Sequence, residues 1–302
     1  MYEPDILDRQ ALGAAKQYMG KLAWPTVLLG ITVGVAYVAT PLMVVTAALP
    51  LAVAIPVMAI LTYAAYTVLH EAVHGSISGG NTTMRWLNEA LGYMAAWILM
   101  IPLTAHRHEH LAHHRNTNNP DSDPDFVVSN LARARWYAPL AALQIFLGQF
   151  SYYRKHRWSR GPRSQDVRLC LEIFAAFVPR LLFVACGYWL EAITLFGVAW
   201  LIGVGLLMFL FAYIVHAPHE NEGRYVDTAT FVVPGWPGHL VTTLWAYQNF
   251  HSIHHLFPRV PFYYYRQLFD DIEDTMIARD APIYSLGVSG IKRDPEVAGG
   301  LR

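Results

Sequence analysis

The chain has 302 residues and no formal net charge at pH 7, and 54% of its residues are hydrophobic, 13% aromatic and only 15% charged. So few charges and so many aromatic side chains are unusual in a soluble protein, which makes the lipid bilayer the first environment to consider. Because the charges balance, the overall composition points to no charged partner, and no nucleic acid is expected to bind.

The N-terminal half contains a long apolar region. Residues 1–21 lack a short apolar core followed by a small-residue cleavage site, so no removable signal peptide is expected. From residue 22 to residue 70 there is no Asp, Glu, Lys or Arg. A run of this length holds two membrane-spanning helices of about 20 residues each. The turn between them is predicted near Pro41 to Pro50.

Two further apolar segments are interrupted by polar residues. Trp86 to Leu103 contains Asn88 and Glu89, and Ala138 to Tyr153 contains two glutamines. We predict that both are interfacial or re-entrant helices rather than spans. A fifth crossing would place the histidine motifs described below on opposite sides of the membrane.

A second predicted hairpin follows. Ala192 to Val215 is uncharged, and Leu169 to Leu190 is its predicted partner although it contains Glu172 and Arg180. Arg180 is either a functional charge at membrane depth or a side chain that extends to the lipid headgroups.

Basic residues set the predicted orientation. Residues 133–168 contain eight Arg or Lys and one acid, whereas the predicted hairpin turns, residues 41–50 and 190–193, contain no Lys or Arg. By the positive-inside rule the basic loop and both termini are cytoplasmic. The predicted fold is all-α and integral to the membrane, one domain over residues 1–302. It has four transmembrane helices in two hairpins, interfacial helices and a histidine-rich cytoplasmic cap formed by residues 216–302.

Twelve of the fourteen histidines fall into four short motifs near the predicted span ends: HEAVH (70–74), HRHEHLAHH (106–114), HAPHE (216–220) and HSIHH (251–255). Residues at i, i+3 and i+4 share one face of a helix, so the rings of a motif can point to a common centre. Imidazole binds Fe, Zn, Cu or Ni, and eight or nine ligands exceed what one ion can use. The pattern therefore predicts two metal ions.

Two other functions would also use clustered histidines. HExxH on a helix also marks zinc proteases, in which the glutamate is the base, but a protease leaves both HxxHH motifs unexplained. A histidine-rich metal carrier should place ligands along the interior of its spans. Here nearly all histidines lie beyond the predicted span ends, which favours an enzyme.

The ordered motifs HEAVH, HLAHHRNTNNPDSDPD and QNFHSIHHLFPRVPF resemble the membrane fatty acid desaturase superfamily, from about residue 60 to residue 270. In detail they are most similar to bacterial desaturase-like carotenoid ring (β-carotene) hydroxylases. The resemblance implies three histidine boxes around a non-haem di-iron centre at the cytoplasmic side of a bacterial inner membrane, with O2 as co-substrate. The implied metal ligands are His70 and His74 of box one, His110, His113 and His114 of box two, and His251, His254 and His255 of box three.

The resemblance also implies one more ligand between boxes two and three. His216 is the candidate because it directly follows the fourth predicted span, with His219 behind it; His106, which shares a helix face with His110, is a further candidate. Some polar neighbours are expected either to orient the rings or only to form turns. They are Glu71, Asn118, Asp121, Asp123, Asp125, Glu220 and Asn249. Tyr263 to Tyr265 are expected at the membrane interface.

The implied activity is O2-dependent hydroxylation of a lipophilic substrate, either a carotenoid β-ring or, alternatively, an acyl lipid that would be desaturated. The sequence has no GxGxxG, P-loop or CxxC set, so it shows no nucleotide or iron–sulfur site of its own. A ferredoxin-like electron donor is therefore expected. The basic loop 133–168 is a docking site for it, or equally a contact for anionic lipids.

Overall fold

The computed structural model describes residues 5–132, 137–287 and 290–293, and helices make up most of them. The start of the basic loop, residues 133–136, lies outside the described residues. In chain order the helices are α1 (Ile6–Tyr18), α2 (Trp24–Val45), α3 (Leu51–His74), α4 (Arg85–Leu99), α5 (Leu103–Asn116), α6 (Ala138–His156), α7 (Arg163–Ala185), α8 (Trp189–His216), α9 (Pro237–Leu244), α10 (His251–Leu256) and α11 (Tyr265–Ala278).

Within the described residues, three helices are long and apolar enough to cross a membrane: α2, α3 and α8. The first two form the predicted N-terminal hairpin, and α8 corresponds to the predicted fourth span. The predicted third span is α7, a single helix of 23 residues. Its five charged residues make it less apolar than the other three; they are Arg163, Asp166, Arg168, Glu172 and Arg180.

The segment from Trp86 to Leu103 forms two helices rather than one. Helix α4 ends at Leu99, where Met100 adopts a left-handed conformation, and α5 begins after Pro102. With 15 residues, α4 is about 22 Å long, which is shorter than the hydrocarbon core of a bilayer. The break at Pro102 turns the chain so that α5 carries the second histidine motif.

Arg180 does not extend to the lipid headgroups, which was one of its two expected roles. It is buried, and its guanidinium donates to Tyr37 Oη at 3.0 Å and to the Trp97 carbonyl at 2.9 Å. The same guanidinium lies 4.9 Å from the centre of the Trp97 ring, a cation–π contact. Arg180 therefore ties α7 to α2 and α4.

Helix α3 lies at the centre of the first hydrophobic core of the protein and packs against α2, α4 and α8. One close approach is at Gly203 of α8, where an added Cβ would lie 2.6 Å from the Ala59 carbonyl oxygen of α3. A second core joins α1 to α10 and α11 around Ile253 and Leu268. The C-terminal end of α3 thus meets α5 and α10 where the two cores adjoin.

The all-α prediction is wrong in one respect, because the cap contains a three-stranded sheet. Its strands are β1 (Thr230–Val232), β2 (Ile283–Gly287) and β3 (Gly290–Arg293), in the order β1-β2-β3. β1 runs parallel to β2, with Thr230 opposite Ile283, and β2 runs antiparallel to β3. β1 has only three residues, all buried, so no alternating pattern was visible in the sequence.

Candidate metal centre

Five histidines from three helices direct ring nitrogens toward one point. They are His70 and His74 of α3, His110 and His114 of α5, and His254 of α10, and we call them the first group. One ring nitrogen of each lies within 4.8 Å of the others. His110 Nε2 lies 2.9 Å from His74 Nε2 and 3.1 Å from His114 Nε2, and His114 Nε2 lies 2.9 Å from His254 Nε2.

These contacts fit ligands of a common ion better than hydrogen bonds between rings. An imidazole nitrogen has a single in-plane site, either a hydrogen or a lone pair, so it cannot bond two neighbours at once. His110 Nε2 and His114 Nε2 nevertheless each meet two other nitrogens. Two nitrogens that bind one ion at about 2.1 Å and at right angles are about 3.0 Å apart. The first group therefore has the spacing of ligands around a single metal ion.

A second group lies beside the first. It consists of His113 of α5, His216 at the end of α8 and His255 of α10, whose ligand atoms also lie within 4.8 Å of one another. His216 Nδ1 and His255 Nε2 are buried and have no hydrogen-bond partner among the described residues. Buried ring nitrogens of this kind are suited to a metal ion. The two groups adjoin, because the rings of His114 and His255 stack with centroids 4.3 Å apart.

Three predicted ligand candidates lie outside both groups. The His251 ring is 5.1 Å from that of His216 and 6.0 Å from that of His70, and its Nδ1 lies 2.7 Å from Gln248 Oε1. His106 Nδ1 lies 2.9 Å from Gln149 Oε1. His219 is behind His216, with 6.4 Å between the ring centroids.

Polar side chains fix the orientation of several rings. His113 Nδ1 lies 2.8 Å from Asp123 Oδ1, the first of the two roles expected for that residue, and 3.9 Å from Asp125 Oδ2. Two further partners had no signal in the sequence: the Tyr265 hydroxyl lies 2.9 Å from His254 Nδ1, and Gln248 Oε1 contacts His251 Nδ1. Tyr265 is buried, so its predicted place at the membrane interface is wrong. Partners of this kind hold a ring in the tautomer that presents its other nitrogen to a metal.

Other polar residues proposed to orient the rings have different partners. Glu71 accepts hydrogen bonds from Thr26 Oγ1 at 2.6 Å and from the Phe262 N–H at 2.8 Å. Asn249 donates to the Phe231 carbonyl at 2.9 Å. Asn118 donates to the carbonyls of Asn221 and Asp227, and Asp121 and Glu220 are exposed. These residues stabilise turns and the packing between segments.

The sequence of residues 45–287 matches the family described as Fatty acid desaturase. The chain belongs to the fatty acid desaturase family. Members of this family hold iron, and the two histidine groups offer suitable ligands for it. The family membership expected from the histidine boxes is therefore confirmed, and the family consists of oxidoreductases.

Similar proteins include desaturases and a ketolase. A zeaxanthin 4-ketolase from Chlamydomonas reinhardtii is 28% identical over 66% of this chain and 39% of its own length. A Delta(12)-fatty-acid desaturase from Arabidopsis thaliana is 24% identical over 66% of this chain and 59% of its own length. A probable fatty acid desaturase from Sorghum bicolor is 24% identical over 67% of this chain and 58% of its own length. This desaturase-family chain thus spans less than two thirds of the length of each of these relatives.

Burial and nearby carboxylates set the charge of the histidines in the cap. Burial lowers the pKa of His251 to about 3 and holds the pKa values of His254 and His255 well below the ordinary value. Burial also acts on His113, but the carboxylates of Asp123 and Asp125 outweigh it and raise the pKa of His113 to about 9. Neutral imidazoles are ready to bind a metal, and the carboxylate beside His113 makes that ring a stronger base.

A cavity of about 60 Å³ lies against both groups. Its apolar wall comes from α6 and α8 and includes Phe146, Trp200, Val204, Leu207 and Phe211, whereas histidines of both groups line its other end. A space of this size holds a few water molecules or the end of a slender hydrocarbon. In this desaturase-family protein the candidate metal centre therefore faces an apolar pocket.

Proposed function

We propose that this protein is a membrane di-iron oxygenase that uses O2 and external electrons to hydroxylate a carotenoid β-ring. The observation that carries the proposal is the convergence of two imidazole groups at one end of an apolar cavity. The relative named as a zeaxanthin ketolase supports a carotenoid substrate. The amino-acid sequence of the motifs, with TNNPDSDPD after box two, also supports a carotenoid substrate.

The first and second groups would each hold one iron ion, with His251 beside both. Iron bound there supplies the activation of O2 for attack on an unactivated C–H bond, with electrons from outside the chain. The nitrogen-rich donor set fits iron, whereas magnesium or calcium would require oxygen ligands.

The chain's own residues prepare the site for an apolar substrate. Trp200, Val204 and Phe211 exclude water from the wall that faces the histidines, and they provide a surface on which a hydrocarbon ring can pack. Asp123 and Tyr265 hold the rings of His113 and His254 in place. Substrate placement against this wall decides which C–H bond lies nearest the metal centre.

Desaturation of an acyl lipid is the second candidate. Relatives named as acyl-lipid or fatty-acid desaturases support it, among them the Arabidopsis thaliana protein. The same two histidine groups suit either reaction, because both begin with attack on an unactivated C–H bond and differ in whether oxygen is then added or a second hydrogen is removed.

The proposed topology places the site beside the bilayer. We take α7 as a fourth span that pairs with α8, and the cap as cytoplasmic at a bacterial inner membrane. A lipophilic substrate then reaches the cavity from the lipid. Electrons come from a ferredoxin-like carrier, for which exposed arginines such as Arg154 and Arg160 offer a basic surface.

Expression in cells that accumulate β-carotene tests the substrate. Mass spectrometry of pigments and acyl chains should reveal one oxygen added per ring, whereas acyl desaturation removes two hydrogens per new double bond. A His255→Ala variant serves as the inactive control. Unchanged pigments and altered acyl chains would favour the second candidate, and two unchanged pools with iron and donor present would reject both.

A further inference from the structure

Helix α9 exposes large apolar side chains to the outside of the molecule. Trp236 just before the helix is 81% exposed, Leu240 is 55% exposed and Leu244 is 68% exposed. Their i, i+4, i+8 spacing places them along one line on the helix surface, which we call the apolar stripe. The exposed residues beside the stripe, His239 and Thr243, are polar.

The opposite face of α9 is firmly attached to the protein. Gly238 and Thr242 are buried, and a Cβ at Gly238 would lie 2.1 Å from the Val233 carbonyl oxygen. Trp245, directly after the helix, is buried and packs with Val215 and Phe231. The stripe is therefore held outward by the fold and cannot turn inward.

Contacts with α8 set the level of α9 relative to a membrane. Trp245 Nε1 donates to the Leu210 carbonyl at 3.0 Å. Leu210 lies about 9 Å along α8 from its end at His216, at a rise of about 1.5 Å per residue. The same part of α8 exposes Leu206 and Phe209. Helix α9 thus lies alongside the last turns of a helix that is able to span the bilayer, rather than beyond its end.

We propose that the apolar stripe inserts into the membrane–water interface of a lipid bilayer. Tryptophan and leucine on one side of a helix, with polar residues next to them, are typical of interfacial helices. Trp245, directly after α9, packs against Leu210 of α8, close in the chain to the exposed Leu206 and Phe209. The bilayer around α8 is therefore the partner that the proposal assigns to the stripe. Only the turn around Gln248 separates α9 from α10, and the membrane would therefore anchor the segment that carries the third histidine motif. The inference does not depend on the identity of the substrate.

Fluorescent labels on single cysteines test the position of the stripe. The background is the full chain with Cys170→Ser and Cys186→Ser, because both native cysteines are exposed. Leu240→Cys and Leu244→Cys report on the stripe, and Thr243→Cys is the matched control on the polar flank. The labelled proteins are placed in phosphatidylcholine nanodiscs with brominated acyl chains, and only variants with the iron content of the parent are compared.

Labels at positions 240 and 244 should be quenched by the brominated chains about twofold or more strongly than the label at position 243. Equal quenching at all three positions, together with full access for an iodide quencher, would place the stripe in water and overturn the inference. Protection of the stripe labels from both quenchers would mean that another copy of the chain covers them, which also overturns it.

Discussion

The orientation of His254 depends on one hydroxyl from a different helix. Tyr265 Oη lies 2.9 Å from His254 Nδ1, and both residues are buried. Tyr265→Phe removes the hydrogen bond and keeps the ring, so we expect iron affinity to fall about 10- to 100-fold. Competition with a chelator of known affinity measures the change.

Tyr264→Phe is the matched control for this prediction. The Tyr264 ring packs on Tyr18, with centroids 5.0 Å apart, and makes no contact with the histidine groups in the described structure. The control should keep the parent affinity. Equal chelator curves for Tyr265→Phe and the parent would contradict an orienting role for the hydroxyl.

His216 and His106 were both candidates for the additional ligand, and their surroundings separate them. His216 belongs to the second group, whereas His106 faces Gln149 outside both groups. We expect His216→Ala to lose about half of the bound iron and His106→Ala to retain it. Elemental analysis of the purified variants provides the measurement, and a loss of iron in both would make His106 a ligand as well.

The spacing within each motif predicted that the three boxes converge, but not that His113 and His255 belong to a second group or that His251 lies outside both. His110 and His114, one helical turn apart, meet His74 and His254 as the periodicity indicated. The partners of the rings were harder to predict. Asp123 and Tyr265 follow their histidines by 10 and 11 residues, and Gln149 lies 43 residues from His106. None of these separations is a helical spacing, so tertiary packing brings the partners together without a local pattern.

At the scale of elements, the contact of α8 with α3 requires a glycine. A Cβ at Gly203 would lie 2.6 Å from the Ala59 carbonyl oxygen and 2.7 Å from Thr62 Cβ. Gly203→Ala should push the two helices apart and destabilise the protein by about 1–3 kcal/mol, because such overpacking cannot relax easily. Thermal unfolding in detergent measures the loss of stability, which should appear as a lower unfolding midpoint for Gly203→Ala.

Gly205→Ala on the same helix is the control, because a Cβ there meets nothing within 4 Å. It should leave the midpoint unchanged or raise it slightly, since alanine is the better helix former. If both alanine variants behave alike, close packing at Gly203 does not limit stability.

The positions of helices were predictable where the sequence has a long run of uncharged, apolar residues. The uncharged run of residues 22–70 gave α2 and α3, and residues 192–215 fall within α8. The sheet was missed because β1 finds its partner β2 far along the chain. Arg180 was misjudged because the groups that bury it, Tyr37 and Trp97, come from two other helices.

At the scale of the whole molecule, the candidate metal centre links the two cores. Its ligands come from α3, α5, α8 and α10, so a bound ion stabilises only the complete fold. Ferrous iron at 100 times its dissociation constant should stabilise the protein by about 2.7 kcal/mol for each occupied site, relative to the metal-free protein. Anaerobic thermal unfolding with and without iron measures this effect.

Magnesium is the control in that experiment, because it prefers oxygen ligands and should leave the unfolding midpoint in place. An equal shift with magnesium would indicate binding at surface carboxylates instead. No shift with iron would mean that the imidazole groups do not bind it under these conditions.

The pairing of β1 with β2 has a consequence for biogenesis. β2 follows every histidine of the two groups in the chain, and it pairs with β1, which precedes α10. During translation the apolar helices can enter the bilayer while β2 is still inside the ribosome. The segment with the last three histidines is held in place by the sheet only after β2 emerges and pairs with β1. Iron should therefore be acquired after translation has passed β2, and a nascent chain stalled before that point should be unable to retain it.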